Sequence, residues 1–362
     1  MTNQQPSQKT AAIVSGYWCT NIGNAFFNKG AEYILKKILG EDNVHLVFDS
    51  PAYISSFARI KESPKNALNY VEHLDVDYLV LLGPVLSASF LHIWKETLDA
   101  LAKKGTKYLI LSAGMMKHNA NIISEIKSYF RANPPHAITT RDEDTYDEFK
   151  DCGCPIYNGI CFAFFVPEAI HRVPASFSPY IALNFDKIDE PVINVNKVHS
   201  KSDMEFTFEN DDFSLRFTSL TSRICLKTDR MTDALIYLSS LLPHKTRPTK
   251  LGKYDIIRTD HRFSPMVKRK VYKYANSFCS DLPETYANLY AGARLTLSDR
   301  VHACAIALAY GNHAFLFAKT NRSALLERVG AAQITTQPTC IDLENLRNEK
   351  EKLLNWLTSQ LT

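Results

Sequence analysis

The stretch LTLSDRVHACAIALAYGNHAFLF, residues 295–317, decides the fold class of the second half of the chain. It contains a short apolar strand, the polar turn Ser-Asp-Arg-Val-His, an Ala/Ile/Leu-rich helix and, after Gly311, a second apolar strand. A strand, a helix and a further strand of this kind form a βαβ unit, which predicts a parallel sheet. The polar turn is therefore expected at the carboxyl edge of that sheet, where open α/β folds bind their ligands.

The first half of the chain has the same alternation of apolar runs and amphipathic helices. Apolar side chains recur at helical spacing in residues 25–39, and buried strands are expected at VDYLVLLGPVL and KYLILSAGM. The segment FVPEAIHRVPASFSP contains three prolines and predicts a linker near residues 165–178. Further on, a period-two pattern on both sides of Asn210-Asp211-Asp212 predicts a β-hairpin.

Together these patterns predict an α/β protein with two Rossmann-like domains facing a cleft and a β-hairpin insertion in the second domain. The expected domains are residues 1–170 and residues 178–340, and residues 341–362 are predicted to form a final amphipathic helix. Helices are also predicted at residues 231–242 and 265–278.

Composition excludes several classes of function. The net charge of +4 is small and no run of like charges resembles a nucleic-acid arm, so nucleic acid is not an expected partner. We find no transmembrane run and no secretory signal, and the eight scattered cysteines fit a reducing cytoplasm. Cys152, Cys154 and Cys161 are too close together and too poor in neighbouring histidine for a zinc site, so no metal is expected. The sequence also lacks the motifs that are typical of nicotinamide-cofactor binding, of a phosphate loop and of a serine nucleophile.

The polar turn at residues 298–302 has three features that suit an anion. Ser298 is a good N-cap, and the helix that it would start presents free N–H groups at the sheet edge. The guanidinium of Arg300 matches carboxylate or phosphate with two hydrogen bonds, and His302 can exchange a proton near neutral pH. Two plainer interpretations stay open, namely that Arg300 pairs with Asp299 or another neighbour and that His302 is a satisfied core histidine.

Three other places contribute candidate residues. In the turn TNIGN, Gly23 permits close approach of the backbone and Asn24 can cap the first helix, although such a turn is often a plain strand–helix loop. Arg141 ends the strand HAITTR at a sheet edge, with pairing to a following aspartate as the alternative. Lys319, just past the strand HAFLF, is expected at the rim of the cleft, where a solvated charge is equally compatible.

On these residues the sequence resembles the polysaccharide pyruvyl transferase family, from about residue 13 to about residue 330. The family motif S-x-R-L-H-A is matched by SDRVHA, residues 298–303, and its N-x-G-D turn by NIGN, residues 21–24. Its Arg-Asp pair is matched at Arg141, and its lysine after the last strand at Lys319. The sequence departs from the family at Asn24, where aspartate is common, and at Pro84, which stands in a turn that is Gly-Gly-Gly in many members.

The resemblance implies a glycosyltransferase-B-like fold with an acceptor side in the first domain and a donor side in the second. It implies transfer of a pyruvyl group from phosphoenolpyruvate onto a sugar of a cell-surface polysaccharide or its precursor, which forms a pyruvate ketal, with no cofactor. The implied catalytic residues are His302 and Arg300, the donor-binding residues are Ser298, Arg300, Arg141 and Lys319, and the acceptor-binding residues are Asn21, Gly23 and Asn24.

The acceptor is free, nucleotide-linked or lipid-linked. A lipid-linked acceptor would bring the enzyme to the inner membrane surface, where the basic cluster in residues 242–274 would assist peripheral association.

Two other functions stay open at this point. A nucleotide-sugar glycosyltransferase of the same fold would need a carboxylate that holds a ribose. A non-catalytic saccharide-binding protein is favoured by the departures at Asn24 and Pro84, whereas the retention of Arg300 and His302 argues against it.

Overall fold

The computed structural model describes residues 9–16, 18, 21–57, 68–115, 119–186, 188–197, 202–217, 247–261, 274–317 and 321–362. Its strands are β1 (Ala11–Ser15), β2 (Val44–Phe48), β3 (Tyr78–Leu82), β4 (Lys107–Ala113), β5 (Ala137–Thr140), β6 (Ile156–Asn158), β7 (Tyr180–Asn184), β8 (Val192–Val195), β9 (Met204–Phe208), β10 (Asp211–Arg216), β11 (Lys250–Leu251), β12 (Tyr254–Thr259), β13 (Ser277–Phe278), β14 (Leu295–Ser298) and β15 (His313–Leu316). Its α-helices are α1 (Gly23–Leu39), α2 (Ser50–Phe57), α3 (Phe90–Lys103), α4 (Ala120–Ala132), α5 (Glu143–Phe149), α6 (Val166–Ala169), α7 (Pro283–Gly292), α8 (Val301–Ala309), α9 (Ala324–Glu327) and α10 (Leu343–Leu361). Within these ranges, no helix has both the length and the apolar character that crossing a membrane requires.

The chain forms two compact units, and each is discontinuous in sequence. Unit 1 consists of Met1–Gly16, Phe27–Ala169 and Glu344–Thr362, and unit 2 consists of Tyr17–Phe26 and Ile170–Leu343. The turn that the sequence analysis assigned to the first domain thus belongs to unit 2, and the final helix belongs to unit 1.

The sheet of unit 1 has six parallel strands in the order β2-β1-β3-β4-β5-β6. Parallel strands of this kind carry helices on both faces, which is why their sequences are continuous apolar runs such as residues 78–82. The strand order reverses between β1 and β3, because β2 lies beside β1 whereas β4, β5 and β6 follow β3 on the other side. Open α/β sheets bind ligands in the crevice outside the carboxyl ends of the strands at such a reversal.

Two helices of unit 1 are fixed by close contacts. Helix α1 lies so near the segment at Phe162 that a Cβ on Gly30 would stand 1.9 Å from the Phe162 carbonyl oxygen. Helix α10 packs beside β6, where Trp356 stacks on Tyr157 with 5.3 Å between ring centroids. The predicted final helix is therefore present and completes the core of unit 1.

The main sheet of unit 2 has a Rossmann strand order. Strands β12, β7, β14 and β15 are parallel neighbours, β13 pairs in parallel with the end of β12, and β11 pairs antiparallel with its beginning. Numbered along the chain, the parallel strands lie in the order 3-2-1-4-5, which is that of a dinucleotide-binding half. The topological switch point is therefore between β7 and β14. Two Rossmann-like domains, as predicted, are confirmed.

The predicted β-hairpin is present in unit 2 as β9 and β10. Its turn is Glu209–Asn210, with positive φ angles of 48° and 66° that fit a type I′ turn, so the turn begins one residue before the predicted Asn210-Asp211-Asp212. With β8 the hairpin forms a three-stranded antiparallel sheet that packs on the main sheet, where Phe206 stacks on Phe315 at 5.2 Å.

The helix predicted over residues 265–278 is wrong at its end. Ser277 and Phe278 form strand β13, because their backbone pairs in parallel with Arg258 and Thr259. Tertiary pairing overrides local pattern here. Residues 262–273 and the helix predicted at 231–242 lie outside the described part of the chain.

A buried ion pair ties several segments of unit 2 together. Arg258 on β12 donates from Nε and Nη2 to the two carboxylate oxygens of Glu190 at 2.8 and 2.9 Å, and their side chains are 0% and 4% exposed. The guanidinium also donates to the carbonyl oxygens of Pro248 and Ala275. Its charge and hydrogen-bonding capacity are therefore satisfied inside the unit.

Candidate functional site

The ends of three strands meet at the switch point of unit 2 and are held by Asn184, the last residue of β7. Its fully buried side chain donates to the Thr259 carbonyl oxygen at 3.0 Å and accepts from Ser298 Oγ at 3.0 Å. The carboxyl ends of β7, β12 and β14 are thus locked in register. The predicted turn at residues 298–302 begins from this fixed point.

Ser298 organises the turn rather than capping the helix. Its Oγ accepts from the backbone N–H of Arg300 at 2.8 Å, and α8 begins at Val301 with Arg300 in the N-cap position and no side-chain cap. The predicted N-cap is therefore wrong: the turn is two residues longer than expected because Ser298 still belongs to β14.

Arg300 is paired with an acid from another strand end. Its Nε donates to Asp186 Oδ2 at 2.9 Å, and the two side chains are 9% and 0% exposed. The Asp186 carboxylate also accepts from the backbone N–H of His261. An ion pair for Arg300 was one interpretation of the sequence, but the partner is Asp186 and not Asp299. The pair fixes the guanidinium at the switch point of the unit.

A second carboxylate supports the first. Asp299 accepts from the backbone N–H groups of Asp186 and Ile188 at 3.0 and 2.9 Å, so it holds the loop that carries Asp186. Burial, and then the neighbouring Asp186 carboxylate, raise the pKa of Asp299. The positive charge of Arg300 acts in the opposite direction and lowers the pKa of Asp299.

The turn NIGN, residues 21–24, lies against His302 inside unit 2. A Cβ on Gly23 would stand 2.9 Å from His302 Nδ1, and the Ile22 N–H donates to the His261 carbonyl oxygen at 2.7 Å. Both junctions singled out in the sequence are thus brought together. Only glycine leaves the imidazole room at this place.

Asn21, rather than Asn24, organises the start of α1. Asn21 Oδ1 accepts from the Gly23 N–H at 3.2 Å, and its carbonyl oxygen accepts from the Asn24 N–H at 3.0 Å. The side chain of Asn24 accepts from Asn21 Nδ2 at 3.3 Å. The predicted capping role of Asn24 is wrong because the helix already begins at Gly23.

Two residues of this constellation, Asp186 and His261, were not predicted from the sequence. His261 is 1% exposed, and its Nε2 lies 2.6 Å from the hydroxyl of Tyr290, which is 2.9 Å from Thr259 Oγ1. Burial raises the pKa of Tyr290 well above its ordinary value, so the phenol stays neutral. Their position in the sequence could have indicated them, since Asp186 and His261 each stand two residues after a buried strand.

Two predicted site residues remain, Arg141 and Lys319. Arg141 directly follows β5 in unit 1 and is 2% exposed, and Lys319 lies outside the described residues. Unit 1 also places Asp49 after β2, at the same sheet edge, where burial raises its pKa to about 6. In the described part of the chain, no group of three or more His, Cys, Asp or Glu side chains could hold a metal ion.

The similarity to a known family extends well beyond the motif at the switch point of unit 2. The family model for polysaccharide pyruvyl transferase covers residues 21–318. The chain belongs to the polysaccharide pyruvyl transferase family. The resemblance inferred from SDRVHA and NIGN is thereby confirmed, and both motifs lie together in unit 2.

Comparison with solved structures adds distant structural relatives of this chain. No curated protein matches the chain. The S. aureus MnaA–UDP co-structure is 11% identical, with a TM-score of 0.48 over 98% of this chain and 90% of that one. The putative UDP-N-acetylglucosamine 2-epimerase of Listeria monocytogenes is 11% identical, with a TM-score of 0.46 over 98% and 91%. The UDP-GlcNAc 2-epimerase of Methanocaldococcus jannaschii, in complex with UDP-GlcNAc and UDP, is 13% identical, with a TM-score of 0.44 over 96% and 93%.

Proposed function

We propose that this protein transfers the pyruvyl group of phosphoenolpyruvate onto a sugar of a cell-surface polysaccharide or its precursor, forming a pyruvate ketal and releasing phosphate. Family membership supports the reaction class. The observation that carries the proposal is the convergence of Arg300, His302 and Gly23 at the switch point of unit 2. Open α/β sheets bind ligands at this place.

Arg300 is suited to the anionic donor because its position is fixed before the donor arrives. The hydrogen bond from Nε to Asp186 orients the guanidinium plane, and the backbone bond to Ser298 holds its main chain. A guanidinium held in one orientation loses little freedom when it binds a carboxylate or phosphate. In this proposal Arg300 binds the donor, Ser298 and Asp186 position it, and Lys319 is a further donor cation.

His302 is the proposed general acid and base. Phosphoenolpyruvate accepts a proton at its methylene carbon, and the resulting cationic centre is attacked by one sugar hydroxyl, which loses its proton. A second hydroxyl of the same sugar then displaces phosphate and loses its own proton, which closes the ketal. One of the two hydroxyl protons replaces the proton added to carbon, and the other leaves with phosphate. Imidazole suits such transfers because it exchanges protons near neutral pH.

The acceptor is placed on the turn formed by Asn21, Gly23 and Asn24. The two asparagine side chains bond to each other across the turn at 3.3 Å, beside the glycine that faces His302. Amide groups of this kind donate to and accept from sugar hydroxyls. An acceptor bound there would present its hydroxyls to the imidazole.

The test is calorimetric titration of phosphoenolpyruvate into the wild type, Arg300→Ala and His302→Ala, followed by assay of phosphate release with saccharide acceptors. We expect the wild type to bind the donor, Arg300→Ala to bind at least about tenfold more weakly, and His302→Ala to bind but not turn over. Arg294→Ala is the matched control, since Arg294 pairs with Glu209 on the surface of the same unit. Binding of a nucleotide sugar in place of phosphoenolpyruvate, or saccharide binding without turnover, would replace the proposal with one of its two rivals.

A further inference from the structure

Unit 2 has a pocket outside the candidate site. Its volume is about 350 Å³, which is within the range of small-molecule pockets, and it lies over β7 and β12 and beside β13. Tyr180, the first residue of β7, lines it, whereas Asn184, which holds the switch point, is the last residue of the same strand. At about 3.3 Å per residue these two ends lie roughly 13 Å apart, so the pocket is a separate feature of the unit.

One face of the main sheet and helix α7 form the walls of this pocket. Tyr180 and Asp255 are register partners in β7 and β12, so their side chains leave the sheet on the same face, and Ile257 follows on that face two residues later. Thr285 and Leu289, one helical turn apart on α7, line the other side. The Tyr180 hydroxyl donates to the Leu289 carbonyl oxygen at 2.5 Å, which fixes the helix against the strand. The pocket is therefore built from regular elements that hold its shape.

Three aromatic rings line the pocket, namely Phe177, Tyr180 and Phe278. Phe177 is 57% exposed, and an edge-on contact with Tyr180, with 5.5 Å between ring centroids, orients it. Tyr286 orients Phe278 in the same way at 5.0 Å. Burial raises the pKa of Tyr180 to about 12, so the phenol stays neutral and keeps its hydrogen bond to α7. The pocket thus offers ring surface to a ligand.

Polar side chains also line the pocket, among them Asp255, Asn276, Ser277 and Thr285. Ser277 Oγ is buried and has no hydrogen-bond partner within the described ranges. The Asp255 carboxylate lies 3.5 Å from Lys250 Nζ, but the Lys250 side chain is 74% exposed, and such a pair leaves the carboxylate able to accept from a ligand. Among the described residues that line the pocket, Asp255 carries the only charge.

This combination of groups suits a sugar ring. A pyranose has a face of C–H groups, which packs on the electron-rich face of an aromatic ring, and its hydroxyls need donors and acceptors around it. A carboxylate accepts hydrogen bonds, and the side chains of Asn276, Ser277 and Thr285 both donate and accept. The chain belongs to the polysaccharide pyruvyl transferase family, and a polysaccharide consists of such rings.

We infer that this pocket is a second saccharide-binding site of unit 2, which takes an uncharged sugar residue and discriminates against an acidic one. A carboxylate on the sugar would face Asp255 with no cation among the described lining residues to offset the repulsion. A pyruvate ketal carries a carboxylate, so the pocket retains unmodified residues of the polymer and releases modified ones. This last consequence rests on the proposed function, whereas the binding of a neutral sugar does not.

Saturation-transfer NMR on the full chain tests the binding, with the methyl glycosides of glucose, galactose, mannose and N-acetylglucosamine as probes. We expect at least one of them to bind with a millimolar Kd, and Phe177→Ala to weaken that binding about fivefold or more because a ring surface is lost. Phe48→Ala in unit 1 is the matched control, since Phe48 is 52% exposed and also contacts a tyrosine ring, Tyr70, at 5.5 Å. It should leave the binding unchanged.

The variants Asn21→Ala and His302→Ala separate this pocket from the proposed acceptor site. Both should keep the binding component that depends on Phe177. Binding of none of the glycosides, equal binding by the wild type and Phe177→Ala, or binding of uridine or geraniol in place of a sugar overturns the inference. Failure of the proposed reaction is distinguishable, since it appears as absent phosphate release with phosphoenolpyruvate while Phe177-dependent sugar binding persists.

The charge preference is tested with the methyl uronide that matches the bound glycoside, because the two probes differ in the carboxylate at C6. We expect the wild type to bind the uronide at least about threefold more weakly than the glycoside. Asp255→Asn should remove this difference and keep the glycoside bound, since asparagine retains a side-chain oxygen that accepts. Equal binding of the two probes by the wild type, or a difference that persists in Asp255→Asn, overturns the discrimination.

Discussion

A methyl group added at Gly23 would clash with the imidazole of His302. A Cβ there would be 2.9 Å from Nδ1, closer than carbon and nitrogen tolerate, while the helix start itself accepts alanine. We therefore expect Gly23→Ala to lower phosphate release in the proposed reaction roughly tenfold to hundredfold, since small displacements of the proposed acid and base are costly. The unfolding free energy should change by less than about 1 kcal/mol.

Gly16→Ala is the control for this prediction. Gly16 also follows a strand, but a Cβ there would meet its nearest neighbour at an ordinary 3.5 Å. Activity should stay near that of the wild type. Equal loss in both variants would show that Gly23 acts through the backbone and not through His302.

Asp49 gives unit 1 a pH-dependent stability. Burial raises the pKa of Asp49 from 3.8 to about 6, so the folded state favours the protonated acid. Its contribution to stability is therefore present at low pH and is lost as pH rises through about 4 to 6. Asp49→Asn should be more stable than the wild type at pH 7, by up to about 3 kcal/mol, and less dependent on pH.

Denaturant unfolding at about pH 4 and pH 7 measures this difference. Asparagine keeps an oxygen for the Ala52 N–H, which Asp49 Oδ1 accepts at 3.0 Å, so the start of α2 is preserved. The exposed Asp42→Asn serves as a control with no expected change. A wild type whose stability rises between these pH values, with no gain in Asp49→Asn, would contradict the assignment.

At the scale of elements, Gly30 explains how α1 packs. Alanine is the better helix former, but its Cβ would lie 1.9 Å from the Phe162 carbonyl oxygen, which is backbone and cannot rotate away. Gly30→Ala should therefore destabilise the protein by more than about 2 kcal/mol in chemical unfolding. Lys37→Ala, on the exposed part of the same helix, should change it by less than about 0.5 kcal/mol.

Helices and strands with strong apolar periodicity were predictable from the sequence. The helix expected at residues 25–39 lies in α1, and the strand expected at KYLILSAGM contains β4, because regular spacing of apolar residues marks the buried face of such elements. Strand β13 and the other two-residue strand, β11, were not predictable. Their residues pair with β12 through backbone hydrogen bonds, which leave no pattern in side-chain chemistry.

The candidate site was predictable in part for the same reason. Ser298, Arg300 and His302 stand at a strand–helix junction, and position alone indicates their edge of the sheet. The Asp186–Arg300 pair joins residues 114 positions apart, and no local rule connects them. The grouping of the Gly23 turn with unit 2 is likewise a result of tertiary packing.

At the scale of the whole molecule, the buried Glu190–Arg258 ion pair connects several segments of unit 2. Glu190 neutralises Arg258, and the guanidinium also bonds to the segments at Pro248 and Ala275. Glu190→Gln should cost about 3 kcal/mol or more, because it leaves a buried charge uncompensated. Thermal and denaturant unfolding of the full chain measure the loss.

Glu209→Gln is the matched control. Glu209 also pairs with an arginine, Arg294, but that arginine side chain is 57% exposed. Exposed pairs contribute little, so the change should be under about 1 kcal/mol. Similar losses in the two variants would mean that burial does not set the strength of the Arg258 pair.

Helix α10 belongs to unit 1 although the whole of unit 2 precedes it in the chain. Its apolar side chains Leu346, Leu353 and Leu357 are buried, so the core of unit 1 stays incomplete until they arrive. During translation, the first 169 residues therefore leave the ribosome before the helix that completes the core of unit 1 has been synthesised. A nascent chain with this order exposes apolar surface for that whole interval, which makes it a candidate for chaperone binding.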